Sequence, residues 1–481
     1  MNRRLSNRLK GLRSHPLTTT GLCLLLIGPA GLLLSSWHRL RPDAAADPSG
    51  QRELLQISDS LSMLQSFRVD AETKPPSLWK TRLGNETARL LWERLNGQIW
   101  WQGWPQDGAP VLMLPDWSTR PGDPIALSPE SQAMSQRHGG MVLLFSDALN
   151  RQTFQQRFRA PAITAPAVEQ FCFKQLRSTT AVHWTPDALA SLSGAIQPLL
   201  ASASHGCVSL NLSGRKLTWS GVVSSRPLRS ASNRLKPPNP INIARLFPDA
   251  QDPGDGSSSP LLFLSGRTAS TVFDSLLRRP PIRDGLEDNY GLNTPLIQEL
   301  LDTPMTLSLL SSKSGSFQAS VQLDLQVDGM TTSLTKALEN ISERLQQSDL
   351  KWRDQDLINP GGRSTTPARV WFLQDEDGQQ RVLGGWSVLP ADPALRNKPL
   401  LRFSIAAAPT NNRSNGRPMP DTGMLQATLR PSAMNELGLL HSGWPSPVRS
   451  SRKLDLVVRS LKGAAISLED WRWMDGQLLL P

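Results

Sequence analysis

The stretch "IWWQGWPQDG", residues 99 to 108, sets Trp100, Trp101 and Trp104 within a few positions of one another. Read as a strand, it turns Trp100 and Trp104 to one side, ~13 Å apart along the chain, and Trp101 to the other. Exposed together among polar side chains, Trp100 and Trp104 would make a platform for sugar rings or another apolar partner. Packed, they would be half of a core. Tryptophan also favours membrane interfaces, a third reading. The segment before them, "NETARLLWERLNG", places Ala88, Leu91, Trp92 and Leu95 on one helical face and ends on Gly97. That helix could lay Trp92 over Trp101. The two candidate ligand-binding residues are therefore Trp100 and Trp104.

Other reactive constellations lack their companions. Ser-x-x-Lys recurs at Ser77–Lys80, Ser213–Lys216, Ser333–Lys336, Ser348–Lys351 and Ser450–Lys453. No Ser-Asp-Asn or Lys-Thr-Gly element accompanies it, so acyl-serine chemistry has no support. There is no nucleophile elbow, P-loop or dinucleotide glycine fingerprint. The histidines (His15, His38, His138, His183, His205 and His441) are scattered without zinc spacing. Two acidic clusters, Asp249/Asp252/Asp255 and Asp375/Glu376/Asp377, lack the ligand series of a calcium loop. Arg278, Arg279 and Arg283 bracket "PPI" in what reads as a solvated turn. The sequence thus carries no catalytic signature, no metal site and no cofactor motif; an enzyme with an unrecognised site stays open as an alternative.

The remaining features concern location. The formal net charge is +11, and seven basic residues with no acid precede residue 42, so the body carries only about +4. A nucleic-acid-binding face across the body is not indicated. From Pro16 to Trp37 there is no charged side chain, and the centre "GLCLLLIGPAGLLL" is strongly apolar. Such a segment is long enough to span a bilayer. The preceding basic residues set the N-terminus in the cytoplasm and the body across the membrane. Ala44-Ala45-Ala46 offers the competing reading of a cleaved signal peptide. Either way the body lies in an oxidising compartment, periplasm or thylakoid lumen. Cys172 and Cys207, the body's only cysteines, are then a candidate disulfide worth roughly 3–4 kcal/mol.

The elements that would position these residues alternate unevenly. The expected divisions are a basic tail (1–15), a transmembrane anchor (16–37), a linker with an amphipathic helix carrying Leu54, Ile57, Leu61 and Leu64 (38–65), a first domain (66–225), a Pro/Ser-rich linker (226–260) and a second domain (261–481). "CVSLNLSGRKLTWSGVVSS" and "MTLSLLSSKSGSFQASVQLDLQV" read as hairpins, and "TTSLTKALENISERLQQ" as an amphipathic helix. "NTPLIQELL" reads as a short helix capped by Thr294. The fold class is α+β: an N-terminal transmembrane helix, then two regions of mainly antiparallel sheet, each with helices packed on one face. Three segments share an aromatic strand, an Asp-Gly pair and an apolar run closing on proline: "IWWQGWPQDGAPVLMLP", "VWFLQDEDGQQRVLGGWSVLP" and "DWRWMDGQLLLP". Asp-Gly suits a tight turn, so all three read as equivalent hairpins of related subdomains.

The basic N-terminus, single apolar span and segments such as "LLFLSGRTASTVFDSLL" and "TLSLLSSKSGSFQASVQLDLQV" resemble the singly anchored, uncharacterised extracytoplasmic proteins of cyanobacteria. That resemblance implies topology and an α+β fold; such proteins carry no established activity, so no residue role transfers. The expected function is that of a membrane-anchored extracytoplasmic protein that binds or scaffolds a protein partner. The alternative is a module binding envelope polysaccharide or lipid through its tryptophan-rich hairpins.

Overall fold

The computed structural model describes residues 54, 56–58, 60–106, 108–118, 125–158, 167–188, 203–225, 260–277, 279–312, 317–347, 350–358, 365–374, 378–391, 398–410, 425–440, 446–461 and 471–481. The basic tail, the apolar segment, the signal-peptide site, nearly all of the 226–260 linker and both acidic clusters lie outside them. Among the described residues no helix is long and apolar enough to cross a membrane. The chain forms two compact units. The first comprises the described residues up to Ile241 together with Leu439–Ser450 and Ser460–Pro481; the second comprises Asn242–Gly438 and Ser451–Arg459. The expected second domain, 261–481, is therefore not one continuous body.

The first unit contains strands β1 (Met63–Arg68), β2 (Ile99–Trp104), β3 (Val111–Pro115), β4 (Ser135–His138), β5 (Met141–Leu144), β6 (Ala181–Trp184), β7 (His205–Ser213) and β8 (Lys216–Ser224). Its last strand, β18 (Trp471–Leu479), comes from the far end of the sequence. All pairings are antiparallel, in the order β4-β5-β3-β2-β1-β6-β7-β8-β18. Leu64, read from spacing as helical, belongs to β1.

Helices cover both faces of this sheet. Helices α1 (Ser77–Leu83) and α2 (Asn85–Arg94) pack Trp79, Leu83, Ala88, Leu91 and Trp92 onto Phe67, Trp100, Leu112 and Leu144. Beyond β3 lies the short α3 (Pro129–Ala133), begun by Ser128, whose side chain accepts from the Ser131 N–H. Helix α4 (Ala148–Arg157) is capped in the same way by Asp147, which accepts from the Asn150 N–H. Together α4, α5 (Ala167–Ser178) and the Leu54–Leu61 segment bury the opposite face, with Leu64, Trp101, Met113 and Cys207 in its core. The expectation of helices on one face fails here because β2 and β3 are apolar on both sides. A strand without clean alternation must be covered twice.

The second unit contains β9 (Leu262–Gly266), β10 (Met305–Ser311), β11 (Ala319–Gln326), β12 (Lys351–Ile358), β13 (Thr365–Gln374), β14 (Gln380–Leu389), β15 (Leu400–Ile405), β16 (Leu425–Leu429) and β17 (Lys453–Ser460). These pair antiparallel in the order β17-β16-β9-β10-β11-β15-β14-β13-β12. Helices α6 (Ser270–Leu277), α7 (Pro280–Tyr290), α8 (Thr294–Leu301) and α9 (Thr332–Gln347) form its apolar layer. There Leu296, Leu301, Leu334 and Leu338 meet Met305, Leu325 and Leu401. Two short helices, α10 (Pro431–Glu436) and α11 (Ser446–Arg449), separate β16 from β17 in sequence. Two local expectations change. "PPIRDG" opens α7 rather than forming a turn, its prolines occupying the first turn where no backbone donor is needed. The cap of α8 is Asn293, accepting from the Leu296 N–H, not Thr294.

The two units repeat one plan. In each, a strand leads through helices to a neighbouring strand (β1 to β2, β9 to β10), and a hairpin adds the next (β3, β11). After a helix, a further hairpin pairs with that strand (β4-β5, β14-β15). The chain then returns to the other side of the first strand (β6, β16) and adds one more (β7, β17). Thus β4-β5-β3-β2-β1-β6-β7 matches β14-β15-β11-β10-β9-β16-β17. Beyond this shared core, the first unit adds β8 and β18, and the second adds β12 and β13.

Candidate functional site

Trp100 is 3 % exposed. Its ring stacks on Phe67 at 4.4 Å and meets Trp79 edge-on at 5.6 Å and Trp92 at 6.5 Å. It is the centre of the α1–α2 layer and offers no face to a ligand. Trp104 is half-buried at the strand end. The pair therefore makes no platform. Trp92 covers Trp100, not Trp101; Trp101 lies on the other face, its Nε1 donating to the Leu176 carbonyl at 2.8 Å. Helix α2 thus serves the face opposite to the one its spacing suggested.

The third tryptophan segment is no hairpin. Residues Trp471–Leu479 run as one strand along β8. Asp475 accepts from Ser220 Oγ at 2.5 Å and Trp473 Nε1 at 3.0 Å. Gly476 sits beneath the Trp219 indole, where a Cβ would stand 2.2 Å from the ring. Gly206 sits beneath Trp184 in the same way. The Asp-Gly pair is thus used for close approach across strands rather than for a turn.

Cys172 of α5 and Cys207 of β7 are joined in a disulfide within the first unit's core. His183 stands opposite Cys207 in the β6–β7 ladder. It is buried, with its Nδ1 unpartnered. Burial, and secondarily the nearby His205, lowers its pKa from 6.5 to about 4.

The second unit holds two polar arrangements that spacing alone does not reveal. The first lies on the sheet face opposite its helices. Across successive strands run Gln426, Ser265, Thr306, Asp324, Arg402 and Ser387, each opposite the next. Arg402, fully buried, holds Asp324 through Nε and Nη2 at 2.7 Å each, and Gln322 donates to the same carboxylate. A parallel row contains Asp455, Thr428, Ser308, Gln322 and Ser404. Thr428 donates to Asp455, which also pairs with Lys453. Asp324 and Asp455 share this face but stand four strands apart, ~19 Å at ordinary strand spacing. Glycoside hydrolysis needs carboxylates ~5–9.5 Å apart, so these two are not such a pair. The ion pair reads as a specificity device of the fold.

The second arrangement lies on β12–β14. Trp352, Arg369, Trp371 and Trp386 come to one sheet face because the ladder sets Trp352 opposite Trp371 and Arg369 between Asp354 and Trp386. The Arg369 guanidinium sits 4.0 Å from the Trp352 ring centre and 5.7 Å from that of Trp386. Asp354 clamps it, accepting from Nε at 2.8 Å and Nη2 at 3.2 Å. The result is a Trp386–Arg369–Trp352 ladder across three strands with Trp371 beside it; all three tryptophans are half-buried, Trp386 against the helix-covered core. Sequence reading singled out this hairpin for its Asp-Gly pair but missed Trp352 and Arg369. The signal was the period-2 placement of Trp352 and Asp354 against Arg369 and Trp371.

Ser333 and Lys336 are both exposed on the first turns of α9. Among the described residues no group of three or more His, Cys, Asp or Glu side chains could hold a metal ion. No family model matches the chain, and no curated protein or solved structure matches it either.

Proposed function

We propose that the chain is a single-pass, membrane-anchored extracytoplasmic protein that binds a partner through the Trp352–Arg369–Trp371 surface of β12–β13, backed by Trp386, which packs against the helical core. The anchor is the uncharged segment 16–37 behind its basic N-terminus. The oxidising compartment is favoured by the buried Cys172–Cys207 disulfide, since such bonds persist mainly outside the cytosol.

The observation that carries the binding face is its place in the repeated plan. Strands β12 and β13 are what the second unit adds to the core it shares with the first. Trp352 stands on β12, and Arg369 and Trp371 stand on β13. Half-buried tryptophan and arginine are the residue types that dominate binding hot spots.

The test compares wild-type protein and a Trp352→Ala, Trp371→Ala variant, both taken from gently solubilised membranes. A stoichiometric protein partner captured by the wild type and lost in the variant supports the reading. Retention on envelope polysaccharide or lipid vesicles, lost in the same variant, would transfer the surface to that ligand class. Equal capture by both proteins would remove the surface from the function.

A further inference from the structure

Strand β12 pairs with β13 along its length, and among the described residues no strand pairs with its outer side. Lys351, Arg353, Asp354, Gln355 and Asp356 are all exposed. Trp352, Asp354 and Asp356 alternate with Lys351, Arg353 and Gln355, so one face of this edge carries an indole beside two carboxylates. On that face Asp354 remains 67 % exposed although it clamps Arg369, which is 16 % exposed.

A second copy of the chain is a poor occupant. A twofold antiparallel pairing sets residues of equal parity opposite one another. Every such register with substantial overlap then opposes Asp354 to Asp354, Asp354 to Asp356, Asp356 to Asp356 or Arg353 to Arg353. Like charges directly opposite destabilise a strand pair. These charges protect the edge against itself. They do not protect it against a strand with basic residues on the matching face.

Resting on the binding surface above, we infer that this edge accepts an extended segment of a partner protein, added as a strand beside β12, with arginine or lysine on the Trp352 side. The ladder already alternates indole, guanidinium, indole outward to the sheet edge. The next rung is a cation against Trp352, neutralised by Asp354 and Asp356. Main-chain hydrogen bonds supply affinity and the alternate side chains supply specificity, as in other strand additions. The net charge of the body is positive, so general attraction does not explain capture of a basic peptide.

The test titrates full-length protein against labelled heptapeptides by fluorescence anisotropy. The peptides are alternating Thr-Arg, the same with Glu for Arg, and the Arg peptide with proline at alternate threonines. The Thr-Arg peptide is expected to bind at least tenfold tighter than either control. It should weaken at least tenfold in Trp352→Ala and, with folding unaffected at an exposed carboxylate, severalfold in Asp356→Asn. Equal binding of the Arg and Glu peptides, or of the proline peptide, overturns strand addition, as does a wild-type dimer joined through β12. Peptide binding unchanged in both variants overturns the site. If Trp352→Ala abolishes capture of the native partner while no peptide binds, the strand mode falls and the surface stands. If native capture also survives, both fall.

Discussion

Acidification should destabilise the first unit through one identifiable side chain. His183 is buried beside Phe173, their ring centres 6.1 Å apart, and its folded-state pKa is lowered from 6.5 to about 4. The unfolded chain therefore binds a proton at higher pH than the folded chain does. Stability from this group is fully present above pH ~6.5, falls as the pH drops through the window to ~4, and levels off below it. At about 1.36 kcal/mol per pKa unit, the loss across that window is on the order of 3 kcal/mol. His205, whose pKa burial also lowers, steepens the same limb. The assay is urea denaturation at closely spaced pH values between 4 and 7, followed by near-ultraviolet circular dichroism, for wild type and His183→Gln. The wild-type curve should fall more steeply, and the difference between the two should amount to a few kcal/mol by the acid end. Parallel curves through this window would refute the assignment of a neutral, desolvated imidazole at this position.

Trp100→Ala should cost ~3–5 kcal/mol by removing a ring enclosed on all sides, while Trp104→Ala should cost a small fraction of that; chemical denaturation of both variants checks the contrast. Reducing the Cys172–Cys207 bond, or replacing both cysteines with alanine, should lower unfolding free energy by about 4 kcal/mol from the loop it closes, measured by denaturation with and without reductant. Gly476→Val should cost ~1–3 kcal/mol by overpacking against Trp219, and pairing it with Trp219→Leu should recover part of the loss in a double-mutant cycle.

Periodicity disclosed the elements whose surroundings are uniform. Leu334 and Leu338 mark the buried stripe of α9, and the β10–β11 hairpin alternates apolar and polar residues as its sheet requires. Spacing failed where tertiary pairing decided. Leu64 fits a helical stripe with Leu54, Ile57 and Leu61, yet it pairs with strands β2 and β6. Asp475-Gly476 has the chemistry of a turn, yet a tryptophan from another strand makes the glycine a packing site. The same limit hid the candidate surface. Trp352 and Arg369 stand far apart in sequence, and only the β12–β13 register makes them neighbours. Three similar segments suggest equivalent hairpins in related subdomains, yet the last of them is a single strand. The observed repeat instead resides in strand order, which leaves no fixed sequence period.

Because β18 borders β8, the first unit's sheet closes only after residue 479 has left the ribosome. Its other strands are finished by Ser224, hundreds of positions earlier in synthesis. A nascent chain would carry an open β8 edge, with Trp219 lacking the glycine it covers, through the whole synthesis of the second unit. The β18 strand thus acts as a completion step: a product cut short before Trp471 exposes the unpaired β8 edge, the kind of surface on which partly folded chains aggregate.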